Sequence, residues 1–253
     1  MIKCIYLSPH LDDAVLSCGA IIWDQIRRHR EVEVWTIFAS DPPQSQLTPF
    51  AEEIHARWMT GPMAPRVRRA EDKLACERVG ATPRHFPYPD CIYRTLPGTE
   101  TPLITQNDDL FQPLMKNEQP LVEEIAQHLK SLISPEVILI LPLTVGGHLD
   151  HQIIRQAGES LPNPHYYYAD YPYAGDHPEE LVPLLPAHNQ ASRFPLSNQA
   201  LATWQYAVEA YTSQITTFWD SISAMYSAIE NYASSNNGNT LWYDQSQEPC
   251  PNE

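Results

Sequence analysis

Positive charge is scarce in this chain. Lys and Arg number 16 against 31 Asp and Glu, a formal net charge of −15. That balance argues against nucleic acid or an anionic membrane surface as the main partner. It leaves a neutral or cationic small molecule open. Cysteine is sparse and unpatterned. Cys4, Cys18, Cys76, Cys91 and Cys250 form no CxxC pair and are odd in number. This speaks against a disulfide framework or a cysteine zinc cluster and fits a reducing compartment. No apolar run is long enough to span a bilayer, and Met1 leads straight into a strand-like segment without a basic-then-apolar leader. The expectation is a cytoplasmic protein. Glycine is rare, 9 residues, whereas proline, at 24, is about twice its usual share. The connections should therefore be ordered but irregular.

What is present is an ordinary soluble composition, 43% hydrophobic over 253 residues. Such a length buries a full core and is most simply read as one domain, 1–253. Ile2 to Leu7 is a short apolar run ended by Ser8-Pro9, which predicts a buried strand. Asp12 to Arg28 has helical apolar spacing, and Val32 to Ala39 is strand-like. The opening is thus a β-α-β unit of a parallel sheet. Further on, the pattern predicts a short helix at Ala51–Met59, a helix at Val67–Val79 and a weak strand at His85–Tyr88. A helix at Leu121–Ile133 and a strand at Val137–Leu141 follow. Next come a helix from about Asp150 to Glu159 and a strand at Tyr166–Ala169. Asn198 to Tyr232 reads as mostly helical, two helices meeting near Ser213, and Ser234 onwards as polar loop with a mobile end. Loop-rich insertions fall near 89–119 and 170–195, where walls of a cleft are expected. The fold class implied is α/β, a Rossmann-like, mostly parallel sheet with helices on both faces.

In such sheets ligands bind beyond the carboxyl ends of the strands. Two unusual stretches lie there. Ser8-Pro9-His10-Leu11-Asp12-Asp13 follows the first strand, and Gly147-His148-Leu149-Asp150-His151 follows Val137–Leu141. Imidazole nitrogen and carboxylate oxygen bind zinc well, and a catalytic site leaves one position for water. His10 and Asp13, three apart, can converge at a helix start. Asp12 between them is free to act as a base. The bland alternative is that the two acids merely cap the helix. In the second stretch the two histidines stand at i and i+3, on one side of a helix start. One would supply a third ligand and the other a proton donor. The run Tyr166, Tyr167, Tyr168, Tyr171 and Tyr173 could line a sugar site, but core packing is the simpler account.

Together these motifs resemble the LmbE/PIG-L family of zinc-dependent deacetylases, which carry P-H-x-D-D after the first strand and H-x-D-H after a later one. Arg68-Arg69-Ala70-Glu71-Asp72 through Gly80-Ala81, and Tyr211-Thr212-Ser213-Gln214, extend the resemblance to about residue 230. The resemblance implies a Rossmann-like hydrolase that removes an acetyl group from an amide nitrogen, often on an N-acetylglucosamine derivative. It makes His10, Asp13 and His151 the ligands of Zn2+, with iron or cobalt as other divalent possibilities. It makes Asp12 the general base, His148 the acid, and Asp150 the group that orients or tunes His148. Arg68 becomes the substrate contact, with Arg69 the alternate. Two departures stand out. Ala14 replaces a glutamate common after the two aspartates, and Gly146 stands where some members have a tyrosine that helps hold the oxyanion. The implied partner is a small N-acetylated molecule, with no nucleic acid or membrane, and a homo-oligomer left open. Hydrolysis of an ester or phosphoester, or a metal-stabilised binding module without catalysis, are the competing readings. A phosphate site would favour a glycine-rich loop or a basic cluster near the strand ends, and Gly146-Gly147 alone is weak evidence for one.

Overall fold

A computed structural model describes residues 2–43, 47–235 and 238–246. Cys250 and the end of the chain lie outside them. The elements run β1 (Lys3–Ser8), α1 (Asp13–Arg27), β2 (Glu31–Thr36), α2 (Pro49–Arg57), α3 (Ala64–Val79), β3 (Thr82–His85), α4 (Gln119–Leu132), β4 (Ile138–Pro142), α5 (Leu149–Glu159) and β5 (His165–Tyr168). Then come α6 (Tyr173–Asp176), α7 (Leu181–Leu184), β6 (Asn189–Arg193), α8 (Asn198–Val208), α9 (Thr212–Phe218), α10 (Ile222–Ser234) and β7 (Thr240–Asp244).

The strands form one sheet in the order β3-β2-β1-β4-β5-β7-β6. β3, β2, β1, β4 and β5 are parallel. β7 pairs antiparallel with both β5 and β6. Strand pleating splits the apolar residues into two cores. Ile5, Leu7, Trp35, Leu139 and Leu141 point to one face, where Ile125 and Leu129 of α4 and Ile153 of α5 cover them. Cys4, Tyr6, Val34, Ile138 and Ile140 point to the other, under Val15 and Ile22 of α1 and Ala75 and Val79 of α3. A parallel sheet covered on both faces fits the unbroken apolar runs Cys4–Leu7 of β1 and Ile138–Pro142 of β4.

Three features differ from the sequence reading. β3 lies three residues earlier than expected, because it is an edge strand without an apolar run. Phe86 and Tyr88, which suggested the strand, enter the core just beyond it. The stretch 198–232 holds three helices rather than two. Segments read as loop contain the antiparallel pair β6 and β7, and the exposed pattern of β6 explains why it carries no signal. Among the described residues, no helix is long and apolar enough to cross a membrane.

β1 and β4 are neighbours, so the turns after them share the carboxyl edge of the sheet. After β4 the chain turns through residues 144–147, with positive φ at Thr144 (68°), Gly146 (83°) and Gly147 (72°). Two are glycines, which adopt this region freely. Thr144 is β-branched and strained there. This turn delivers His148 to the start of α5.

Candidate functional site

The first motif is built by hydrogen bonds among its own residues. Ser8 Oγ donates to the His10 carbonyl (2.7 Å) and accepts from the Ala14 N–H (3.1 Å). The Asp13 carboxylate accepts from the His10 backbone N–H (2.7 Å). Asp12 occupies the N-cap position of α1, yet its side chain caps nothing. The capping alternative therefore fails for Asp12, whose carboxylate lines the cleft instead. In the second motif His148 is the N-cap of α5, and its Nδ1 accepts from the Asp150 N–H (3.2 Å).

The turn after β1 and the start of α5 bring the expected residues together. The rings of His10, His148 and His151 lie 4.8–5.4 Å apart between centroids. Asp13 Oδ2 stands 3.3 Å from His10 Nδ1 and 3.4 Å from His151 Nε2. The opposite nitrogens are held by carboxylates. His10 Nε2 donates to Asp150 Oδ2 (3.0 Å) and His151 Nδ1 to Asp170 Oδ1 (2.7 Å). That arrangement leaves one nitrogen of each ring facing Asp13, with the outer carboxylates that metal-bound histidines usually have. His10, His148 and His151 could also share one ion, as could Cys91 with His148 and Asp150, or His10 with Asp90 and Asp150. The latter two sets are weaker. Burial and the neighbouring acids Asp150 and Asp90 raise the Cys91 thiol well above its usual range. Asp150 is already engaged by His10 and by Arg94 at 2.7 Å.

The electrostatics follow from packing acids and imidazoles out of water. Burial pushes the Asp12 carboxyl up to about 6, although Arg68 pulls against it. Burial opposes charge on His151, but Asp13 and Asp170 raise it to about 10. Burial likewise opposes charge on His10, and Asp90, Asp13 and Asp150 outweigh it. A bound cation would displace these protons. His148 goes the other way. Burial and the two neighbouring imidazoles hold it well below the usual histidine range.

The two arginines separate cleanly. Arg68 is buried in the cleft, with Nη2 3.4 Å from Asp12 Oδ2 and its guanidinium 4.5 Å above the Trp58 ring. Its buried Nε has no hydrogen-bond partner among the described residues. Arg69 points away, to the Ala39 carbonyl and Asp41. Asp150 was expected to orient or tune His148. It gives His148 its backbone N–H, while its carboxylate serves His10, the Cys91 N–H (3.0 Å) and Arg94.

Sequence reasoning missed Asp90 and Asp170, and named Tyr173 only as one of five candidate sugar contacts. Asp90 lines the cleft with Arg68 and Trp58. Asp170 lies two residues beyond β5, so the carboxyl-end rule could have flagged it. Tyr173 fills the space beside Gly146, where an added Cβ would lie 2.8 Å from the Tyr173 Cγ. Its ring meets Phe111 and His151 edge-on, and its hydroxyl makes no hydrogen bond among the described residues. Of the five tyrosines considered for a sugar site, Tyr166, Tyr167 and Tyr168 are buried in the sheet cores, whereas Tyr171 and Tyr173 line the cleft.

A parallel sheet with His/Asp motifs at its carboxyl edge defines a class, and the comparisons agree. The chain belongs to the PIG-L family, described as GlcNAc-PI de-N-acetylase, which matches residues 5–161. The 2'-N-acetylparomamine deacetylase of Niallia circulans is 26% identical over 196 residues, 70% of either chain. The zinc-inhibited form of teicoplanin deacetylase Orf2 superposes with a TM-score of 0.81 at 27% identity, covering 95% of this chain and 97% of that one. The A40926 pseudoaglycone deacetylase Dbv21 gives a TM-score of 0.73 at 25% identity, covering 94% of both.

Proposed function

We propose that this protein is a metal-dependent N-deacetylase of an N-acetylated amino sugar or glycosylated metabolite. His10, Asp13 and His151 hold a divalent ion, zinc by preference, Asp12 is the general base and His148 the proton donor. The observation that carries the reading is Asp12. It is a buried carboxylate with no capping role, beside three groups whose donor atoms converge. When bound, the ion would polarise the amide carbonyl and make water more acidic.

The chain's own residues supply the rest. Asp12, with its carboxyl near 6, is ionised at neutral pH yet basic enough to take a proton from the attacking water. The hydroxide formed adds to the carbonyl carbon, the C–N bond breaks, and acetate and a free amine result. The nitrogen needs a proton because an amide anion is too poor a leaving group. His148 is placed to give it. Its Nδ1 accepts the Asp150 N–H, so its mobile proton sits on Nε2. Its depressed pKa keeps it neutral at rest, so the Nε2 proton it gives to the nitrogen is restored by the proton that Asp12 took from the water. Tyr173, whose phenol makes no hydrogen bond among the described residues, serves as a neutral donor to the acyl oxygen. Arg68, Asp90 and Trp58 combine a donor, an acceptor and a flat face, which suits a hydroxylated ring. The buried, unpartnered Arg68 Nε is a group that a ligand would satisfy.

The phosphoester alternative loses its one feature. The N–H groups of the diglycine turn are already taken. Val145 donates to Asp170, Gly146 to Glu180 and Gly147 to the Thr144 carbonyl. No anion cradle remains there. A cytoplasmic setting fits the four described cysteines, which are buried and form no disulfide among the described residues.

The test is release of amine and acetate from a panel of N-acetylated amino sugars by zinc-loaded protein and by Asp12→Ala. Turnover by the wild type should fall at least 10²-fold in Asp12→Ala, with one equivalent of metal retained. Wild-type protein that binds metal but cleaves nothing, or an unimpaired Asp12→Ala, would overturn the reading.

A further inference from the structure

α2 lies along the cleft with one buried face. Phe50, Ala51 and Ile54 enter the core, and Ile54 and Trp58 reach the cleft. Helical spacing puts position 55 on that same face, where an apolar side chain is expected. The residue there is His55, 2% exposed and unused by the chemistry above. Its Nε2 lies 2.5 Å from the hydroxyl of Tyr93, itself 5% exposed, and the two rings meet edge-on at 5.6 Å. Burying an imidazole and a phenol is costly unless they bond to each other. Burial holds the imidazole below its ordinary pKa and the phenol well above its own, so both stay neutral beside Arg68.

Tyr93 is a fixed point. It closes the 3₁₀ turn Cys91–Tyr93, in which Asp90 accepts from the Ile92 N–H (3.1 Å) and the Cys91 N–H is tied to Asp150 (3.0 Å). His55 in turn lies within 25° of parallel to Trp58, with 5.9 Å between centroids. The helix stops at Trp58, and Met59 beyond it takes a positive φ of 53°. The indole is therefore seated by its ring contacts rather than by a following turn.

Arg68 depends on that seat. Among the described residues its guanidinium makes one hydrogen bond, the 3.4 Å contact with Asp12, longer than the about 2.7–2.9 Å usual for a charged pair. No bidentate carboxylate clamps it among these residues, and its Nε is unpartnered. Packing on Trp58, 4.5 Å from Cζ to the ring centre, is what orients the planar fork.

We propose that His55, anchored by Tyr93, is a positioning residue for substrate binding. It seats Trp58, and Trp58 aims the Arg68 guanidinium into the cleft. The inference rests on the deacetylase reading, in which Arg68 meets the substrate, and it names the groups that set its aim. Neither His55 nor Tyr93 lines the cleft.

Tyr93→Phe removes the anchoring hydroxyl and keeps the ring. In zinc-loaded protein acting on the best substrate of the N-acetylated amino sugar panel, KM should rise about five-fold, the worth of one hydrogen bond, with kcat within two-fold of wild type. In an Arg68→Lys background the same substitution should change KM less than two-fold, because the planar fork it aims is gone. A side chain that merely stabilised the fold would lower the melting point and leave KM alone. Tyr93→Phe with the KM of wild type, or a rise that persists undiminished in Arg68→Lys, would overturn the proposal. If Tyr93→Phe does not fold, His55→Gln, which removes the flat ring beside Trp58, is read against the same expectations. Calorimetric titration of the zinc-loaded Asp12→Asn forms of all four proteins with N-acetylglucosamine repeats the comparison without turnover. The same Arg68-dependent loss of affinity, in a protein whose wild type cleaves nothing on the panel, would count against the deacetylase reading and leave the positioning role standing.

Discussion

Asp170 offers a sharp test of the site, because both of its oxygens are committed. Oδ1 accepts the His151 Nδ1–H at 2.7 Å and Oδ2 accepts the Val145 N–H at 3.0 Å, in a side chain 1% exposed. Asparagine has the same shape but only one acceptor. In either orientation of Asp170→Asn, one buried N–H faces an amide NH₂. If the mismatch falls on His151, the ring loses the partner that fixes its tautomer with Nε2 toward Asp13. Losing such an outer carboxylate typically costs 10–100-fold in metal affinity, about 1.4–2.7 kcal/mol. If it falls on Val145, the strained turn at 144–147 loses an anchor. A buried unmatched donor then costs about 1–3 kcal/mol, lowering the melting point by roughly 2–10 °C for a chain of this size. Chelator competition for zinc, paired with thermal unfolding in the chelator alone, measures the two losses. At least one must appear. Zinc affinity within two-fold of wild type together with an unchanged melting point would refute the assignment of His151 as a ligand held by Asp170.

Tyr173→Phe keeps the ring that fills the space beside Gly146 and removes only the hydroxyl. If that hydroxyl meets the acyl oxygen, kcat should fall about 10–100-fold with little change in KM, and an unchanged kcat would reduce Tyr173 to a wall. Glu71 receives the Thr212 and Ser213 hydroxyls, each at 2.6 Å, and the Ser213 N–H at 2.8 Å. It ties α3, which carries Arg68, to α9. Glu71→Ala leaves three donors without an acceptor and should cost about 3–5 kcal/mol in urea unfolding; a loss below about 1 kcal/mol would refute this account of the knot.

Where the sequence succeeded, a strong periodic signal coincided with a special residue. β1 is apolar from Cys4 to Leu7 and β4 throughout, and the turns after them carry His10 and His148, so both the sheet and the site edge could be read directly. β6 and β7 could not. They are short, and β6 is exposed along most of its length, so only their pairing with each other and with Tyr167 of β5 makes them strands. The ligand triad proposed above could be named from sequence because its members lie within two compact motifs. Asp90 and Asp170 were not, and Tyr173 was named only as one of five candidate sugar contacts, because each sits alone in a proline-broken connection. Their roles depend on neighbours 19 to 80 positions away in the chain or on the space that a glycine leaves. The difference between Arg68 and Arg69 was equally hidden. Only the docking of α3 decides which of two adjacent guanidiniums faces the cleft.

The long connection between β3 and α4 gains its meaning from Asp150. Cys91 donates its N–H to that carboxylate, Arg94 pairs with it at 2.7 Å, and Arg94 also holds Glu118 at 2.9 Å. Both ends of the 89–119 segment are thus fastened to the group that steadies His10. Its middle is pinned as well, because Gln152 of α5 accepts from the Leu114 N–H and donates to the carbonyls of Gln112 and Gly147. The 3₁₀ turn at Asn107–Phe111, whose Leu110 and Phe111 line the cleft, hangs between these fixed points. A free lid would carry few such bonds, and a free lid would have to break them to move. The segment is better understood as a fixed wall of the cleft. Leu110 can then be changed with least effect on the rest of the site, whereas Phe111 also meets the His148 ring edge-on at 5.7 Å and Leu103 and Ile104 belong to the core.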